Sequence, residues 1–190
     1  ATGSDGWVTG FEKRVELIGT LNQAGSVVRL HQGDGSQVDF AYSGTVNVYR
    51  STVGGGAHDT LTWTGGVPGS DYWVLEEGSS RRTERYLSLS GQPDAARLHE
   101  IEEARHDGVD PARFQVTYDN DGRVVEVRAV SDAQQTGGDA LLFTYNGAGQ
   151  LTSLSTRESG VVREQVSFGY DTAGRLSVVE YDLTPDDTGE

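Results

Sequence analysis

Val166-Ser167-Phe168-Gly169-Tyr170-Asp171-Thr172-Ala173-Gly174-Arg175-Leu176 is the stretch whose reading decides the fold. Counting back from Tyr170, Phe168 and Val166 are apolar, so the three side chains share one face of a strand. Asp171 then offers a carboxylate to cap a turn, and Gly174 supplies the left-handed residue that a reversal needs. Ser177 and Val179 continue as a second strand. The stretch reads as a β-hairpin.

The same unit occurs twice more upstream. Phe114 to Val124 carries Tyr118 and Gly122, and Leu141 to Leu151 carries Tyr145 and Gly149. In each copy the residues two and four before the Tyr are apolar, an Asp or Asn follows it, and a Gly stands four residues after it. Hairpins repeated side by side make a continuous antiparallel sheet. An isolated hairpin is marginal in water, so the units are expected to stack.

The first ninety residues extend the strand pattern. Arg14–Leu21, Val27–Leu30, Val38–Tyr42, Thr45–Tyr49, Thr60–Thr64, Tyr72–Leu75 and Thr83–Leu89 are rich in β-branched and aromatic residues. Turn chemistry separates them at Asn22–Gly25, Gln32–Ser36, Ser43-Gly44, Gly54–Gly56, Val67–Ser70 and Gly78–Ser80. Pro93 to Arg105 breaks the pattern with helix formers, an acidic first turn and Gly108 beyond its end. Ala95, Leu98 and Ile101 would form one stripe, which predicts a short α-helix near residues 94–106. The expected fold class is therefore mainly all-β, an antiparallel meander of hairpins in one large or two packed sheets with that one helix. The segments are a polar leader at 1–12, a meander at 13–92, the helix at 93–108, three hairpin repeats at 112–183 and an acidic tail at 184–190. They make one or two packed domains. Ala1-Thr2-Gly3-Ser4-Asp5-Gly6 reads as the start of a mature chain or of a trimmed one, and removal of a signal peptide or of a single initiator Met in the cytoplasm would leave the same start.

Composition narrows the function. The 190 residues include 26 Gly, no Cys and a formal net charge of −14. Such a charge repels phosphate backbones and anionic headgroups, so nucleic acid and membrane surfaces are poor partners. Without Cys there are no disulfides, thiolate nucleophiles or Cys-ligated metals. No apolar run approaches the ~20 residues of a spanning helix.

Tyr170-Asp171-Thr172-Ala173-Gly174-Arg175-Leu176 resembles the YD-repeat (Rhs-type) family unit, Tyr-Asp-x-x-Gly-Arg-Leu. Tyr118-Asp119-Asn120-Asp121-Gly122-Arg123-Val124 is similar to it, while the middle copy carries Asn146, Gln150 and an additional Gly147. The resemblance spans about residues 112–182. It implies bacterial secreted or surface proteins, periplasmic or cell-surface, some of them large β-shells and some in contact with carbohydrate. A chain of this length cannot build such a shell, so architecture and a lean toward the envelope carry over. The repeat's Tyr, Gly and Arg are structural in that family.

Few residues suggest chemistry. On a helix, His99, Glu102, Glu103 and His106 would share a flank, and imidazole with carboxylates suits a transition metal. A solvated helix side accounts for the same residues. Asp119-Asn120-Asp121-Gly122 resembles part of a calcium loop, but Thr117 and Arg128 stand where ligands are needed. A capped turn explains it better. Trp63, Tyr72 and Trp73, with Trp7, are candidates for a carbohydrate platform, against the commoner fate of core packing. No nucleophile elbow, triad, phosphate loop or dinucleotide motif is present, no catalytic residue is assigned and no cofactor is implied. The expected role is a non-catalytic extracytoplasmic binding or assembly module. Its partner would be protein or carbohydrate, with self-association through edge strands. The alternatives are a polysaccharide-acting hydrolase and an acidic inhibitor or immunity-type protein that binds a basic partner.

Overall fold

The computed structural model describes residues 9–51, 58–65, 71–78, 80–103, 111–130 and 138–185. The turns expected at Gly54–Gly56 and Val67–Ser70 lie outside them, as do Trp7, His106 and the end of the acidic tail. The described residues form antiparallel strands and no helix. They fall into two compact units, divided between Arg113 and Phe114.

The first unit holds β1 (Arg14–Ile18), β2 (Val27–His31), β3 (Gln37–Tyr42), β4 (Val48–Ser51), β5 (Thr60–Trp63), β6 (Tyr72–Glu76), β7 (Thr83–Ser88) and β8 (Ala95–Glu103). Each strand pairs with the next, and β1 also pairs with β8, so the meander closes into an eight-stranded barrel. At the seam Val15 lies opposite Ala96. The Leu98 N–H donates to the Lys13 carbonyl at 3.0 Å, and the Leu17 N–H donates to the Asp94 carbonyl at 2.9 Å.

Period-two alternation sends every second side chain inward. The cross-strand partners Val28 and Phe40, Tyr49 and Leu61, Leu61 and Leu75, Trp63 and Trp73, Trp73 and Tyr86, and Tyr86 and Leu98 form a continuous buried lining. Eight strands enclose a space that side chains can fill. Here Trp73, Tyr49, Tyr86 and Phe40 are the largest fully buried groups. Trp73 Nε1 donates to the Pro93 carbonyl at 3.0 Å, and the Tyr49 hydroxyl bonds the Ser26 hydroxyl at 3.0 Å.

The expected helix is strand β8. Its buried residues are Ala96, Leu98 and Ile101. A register shift between Arg85 and Tyr86 places Leu98 opposite Tyr86 and Ile101 opposite Glu84. A β-bulge thus turns a spacing of two into three, which in the sequence imitates a helical stripe. Pairing to β7 and β1 overrides the helix propensity of Ala, Leu and Glu.

The second unit holds β9 (Ala112–Tyr118) from Phe114 onward, then β10 (Val124–Val130), β11 (Ala140–Tyr145), β12 (Leu151–Glu158), β13 (Val161–Tyr170) and β14 (Leu176–Asp182), adjacent in chain order. The three Tyr-to-Gly stretches are the reversals between β9 and β10, β11 and β12, and β13 and β14. Val116 and Phe143, each two residues before a Tyr, are buried as the alternation predicts.

Candidate functional site

The three turns of the second unit share one construction. In the first, the Asp119 N–H donates to the Arg123 carbonyl at 2.9 Å and the Gly122 N–H to the Asp119 carbonyl at 3.0 Å. Asn146 with Gln150 and Gly149, and Asp171 with Arg175 and Gly174, repeat both bonds at 2.9 Å. Gly122, Gly149 and Gly174 have φ of 80°, 82° and 77°, a region that strains any residue with a Cβ. Asp119 Oδ1 accepts the N–H groups of Asp121 and Arg123, and Asp171 Oδ1 accepts those of Ala173 and Arg175. Asn146 Oδ1 does the same for Ala148 and Gln150. The barrel turn at Gln32–Ser36 has the same two backbone bonds, with Gly35 at φ 84°.

Charge completes the outer turns. Arg123 Nε donates to Asp119 Oδ2 at 2.7 Å, and Arg175 Nε to Asp171 Oδ2 at 2.8 Å. In the middle turn a neutral pair replaces them, Asn146 Nδ2 donating to Gln150 Oε1 at 2.9 Å. Partial desolvation pushes the Asp119 carboxyl up, but the Arg123 N–H, the Arg123 guanidinium and the Asp121 N–H together hold it below the usual carboxylate range. The Arg175 N–H, then its guanidinium, lower Asp171 in the same direction. The calcium-like Asp119–Gly122 segment is therefore a capped turn with its carboxylate engaged.

Neighbouring hairpins are joined by their tyrosines. Tyr145 Oη donates to the Val124 carbonyl at 2.8 Å, and Tyr170 Oη to the Leu151 carbonyl at 2.8 Å. The Arg123 guanidinium lies 4.9 Å from the centre of the Tyr145 ring, and Gln150 Nε2 donates to the Gly174 carbonyl at 2.7 Å. Along the repeats cover diminishes. Val124 is 0% exposed, Leu151 half-buried and Leu176 38% exposed. On β14, Val178, Val179 and Tyr181 all face solvent.

The residues proposed from sequence are dispersed. Trp63 and Trp73 meet inside the barrel with ring centres 5.4 Å apart, whereas Tyr72, one residue from Trp73, points out against His99 at 6.1 Å. The three share no face. Burial depresses the pKa of His99, with Glu100 opposing. Glu102 and Glu103 approach Arg85 and Arg82 at 3.9 Å. Among the described residues no group of three His, Asp or Glu is placed to hold a metal.

One cluster escaped the sequence reading. Glu84 is fully buried on β7, where Lys13 Nζ contacts Oε1 at 2.6 Å, Arg82 reaches the same oxygen at 2.9 Å and the Tyr86 hydroxyl donates to Oε2. Its signal was available: Glu84 and Tyr86 occupy the inward phase of an alternating strand. Outside the barrel, a groove of about 540 Å³ runs along the β1–β8 seam between Arg14, Glu16, Leu89, Asp94 and Arg97, a lining of mixed charge.

No helix among the described residues is long and apolar enough to cross a membrane. No curated protein matches the chain. Residues 145–183, which carry the second and third turns and the solvent-facing strand β14, match the family model described as RHS Repeat.

Proposed function

We propose that this chain is a non-catalytic binding or assembly module that works outside the cytoplasm, with protein or carbohydrate as its partner. The observation behind this reading is that the repeats' polar side chains close the repeats' own turns, while β14 presents valines and a tyrosine to solvent. Surface of that kind suits recognition, since large apolar groups left exposed beside polar rims mark contact sites. The match to the RHS Repeat model supports a structural and binding role for the second unit. Glu84, the most deeply buried acid among the described residues, is tied to two cations and a phenol, an arrangement that favours architecture over acid–base work.

Two measurements test the reading. Fractionation of the source cells with protease treatment of intact cells should find the chain outside the cytoplasm and cleavable; recovery only from the cytoplasm overturns the location. A polysaccharide panel should show retention without turnover. Turnover abolished by one Asp or Glu replacement would instead establish a hydrolase.

A further inference from the structure

We propose that the groove along the β1–β8 seam binds a carboxylated sugar, its carboxylate held by Arg14 beside Arg97. The inference rests on the binding-module reading above and names the ligand's chemistry. Its ground is a cross-strand pair that departs from the barrel's own pattern. At two other positions of the outer wall an arginine faces an acid. Arg29 lies opposite Asp39 and donates to it at 2.7 and 2.9 Å, and Arg85 lies opposite Glu100 and donates to it at 2.5 Å. At the seam, Arg14 lies opposite Arg97. The ladder bonds from Leu98 to Lys13 and from Leu17 to Asp94 put this pair at a non-hydrogen-bonded position, where facing side chains come closest. Like charges so placed destabilise a sheet. On its other flank Arg14 faces His31, and among the described residues no acid pairs with it. Arg97 already interacts within the chain, so Arg14 is the uncommitted cation of the two. A local cost left uncompensated in this way is a mark of a site kept for a ligand.

The rest of the groove fixes the class of anion. Its volume of about 540 Å³ falls in the range of small-molecule sites, roughly 300–1,000 Å³. Glu16 and Asp94 line it beside the arginines, and carboxylates call for O–H donors on a ligand. The Ser90 hydroxyl donates to Asp94 Oδ1 at 2.7 Å and holds that carboxyl below its ordinary pKa, so it accepts and does not donate. Leu89, 61% exposed, offers apolar surface to C–H groups. An inorganic anion would use the arginines alone, and a fatty acid would leave both carboxylates without donors. A sugar acid brings a carboxylate, hydroxyls and a C–H face together. The chain's charge of −14 sets the spacing of such acids, because uronates separated by neutral sugars meet less repulsion than a dense polyanion.

The probes are free glucuronate and a hyaluronan tetrasaccharide, in which uronates alternate with neutral sugars. Binding to the full chain is followed by amide shifts at low and high salt. Saturable binding that moves the amides of 14–17 and 94–97 and weakens with salt is expected, with glucose silent and acetate weaker than glucuronate. Binding of the tetrasaccharide marks a polymer as the source, and binding of glucuronate alone marks the free sugar acid; either supports the inference. Arg14→Gln should weaken binding about tenfold, the effect of one charge-assisted hydrogen bond. Its denaturation midpoint should stay or rise, because the like-charge pair is relieved. Arg50→Gln removes the same charge from an exposed position on β4 and should leave binding unchanged. No binding of either probe at millimolar concentration, acetate equal to glucuronate, or equal losses at Arg14 and Arg50 overturns the inference. So does an oligo-aspartate peptide that binds where the sugar acids do not, since the partner would then be a protein. A chain found outside cells that ignores the sugar acids refutes this inference alone; a cytoplasmic chain that binds them refutes only the location.

Discussion

At the scale of single residues, Glu84 and the turn aspartates show two ways of using charge. Glu84 is buried and fully engaged, so removing it strands Lys13 and Arg82 beside the barrel interior. Breaking such a pair from one side costs far more than the pair contributes net. Glu84→Ala is expected to lose about 3–5 kcal/mol in urea unfolding, and Tyr86→Phe about 1–3 kcal/mol. The aspartates act by pH. Asp119 and Asp171 have folded pKa values below their unfolded ones, so their stabilisation is complete above the ordinary carboxylate pKa of about 3.9 and is lost as pH falls through the lower folded values. The amide protons of Arg123 and Arg175 should shift in that acid window. The Gln150 amide, capped by neutral Asn146, should not. Equal titration at all three turns would refute the account.

At the scale of elements, the tyrosine bridges decide how firmly one hairpin holds the next. Tyr145 is covered by Arg123 and its neighbour Phe143 is buried, whereas the third hairpin is more open. Tyr145→Phe should cost about 0.5–1.5 kcal/mol and Tyr170→Phe less, measured by denaturant midpoints. A larger loss at Tyr170 would contradict the gradient of burial. The turns themselves were legible as sequence, because Asp or Asn followed by Gly at a fixed offset acts through backbone geometry within five residues. Strand β8 was not. Ala95 to Glu103 is composed of good helix formers, and its strand state comes from β7 and β1, far away in sequence.

At the scale of the whole molecule, closure distinguishes the first unit. The β1–β8 pairing covers Arg14–Glu16 and Ala95–Arg97, so closure removes those stretches of strand edge. The Leu17 N–H contributes one seam bond, to the Asp94 carbonyl. Leu17→Pro removes it and should destabilise the barrel by about 1–3 kcal/mol beyond Leu17→Ala, with increased light scattering as the seam edges open. If the two variants unfold alike, the seam is not holding the barrel. The net charge of −14 acts on the chain as a whole and disfavours polyanionic partners.

Alternation and turn chemistry, both local, determined from sequence alone that the chain is built of antiparallel hairpins and where most of them reverse. Tertiary structure alone decided that eight strands close into a barrel, that residues 95–103 are a strand, and that Glu84 meets Lys13 across 71 positions of chain. Periodicity records which face of a residue is buried. It carries no record of what lies on the other side, and that partner fixed each of these outcomes.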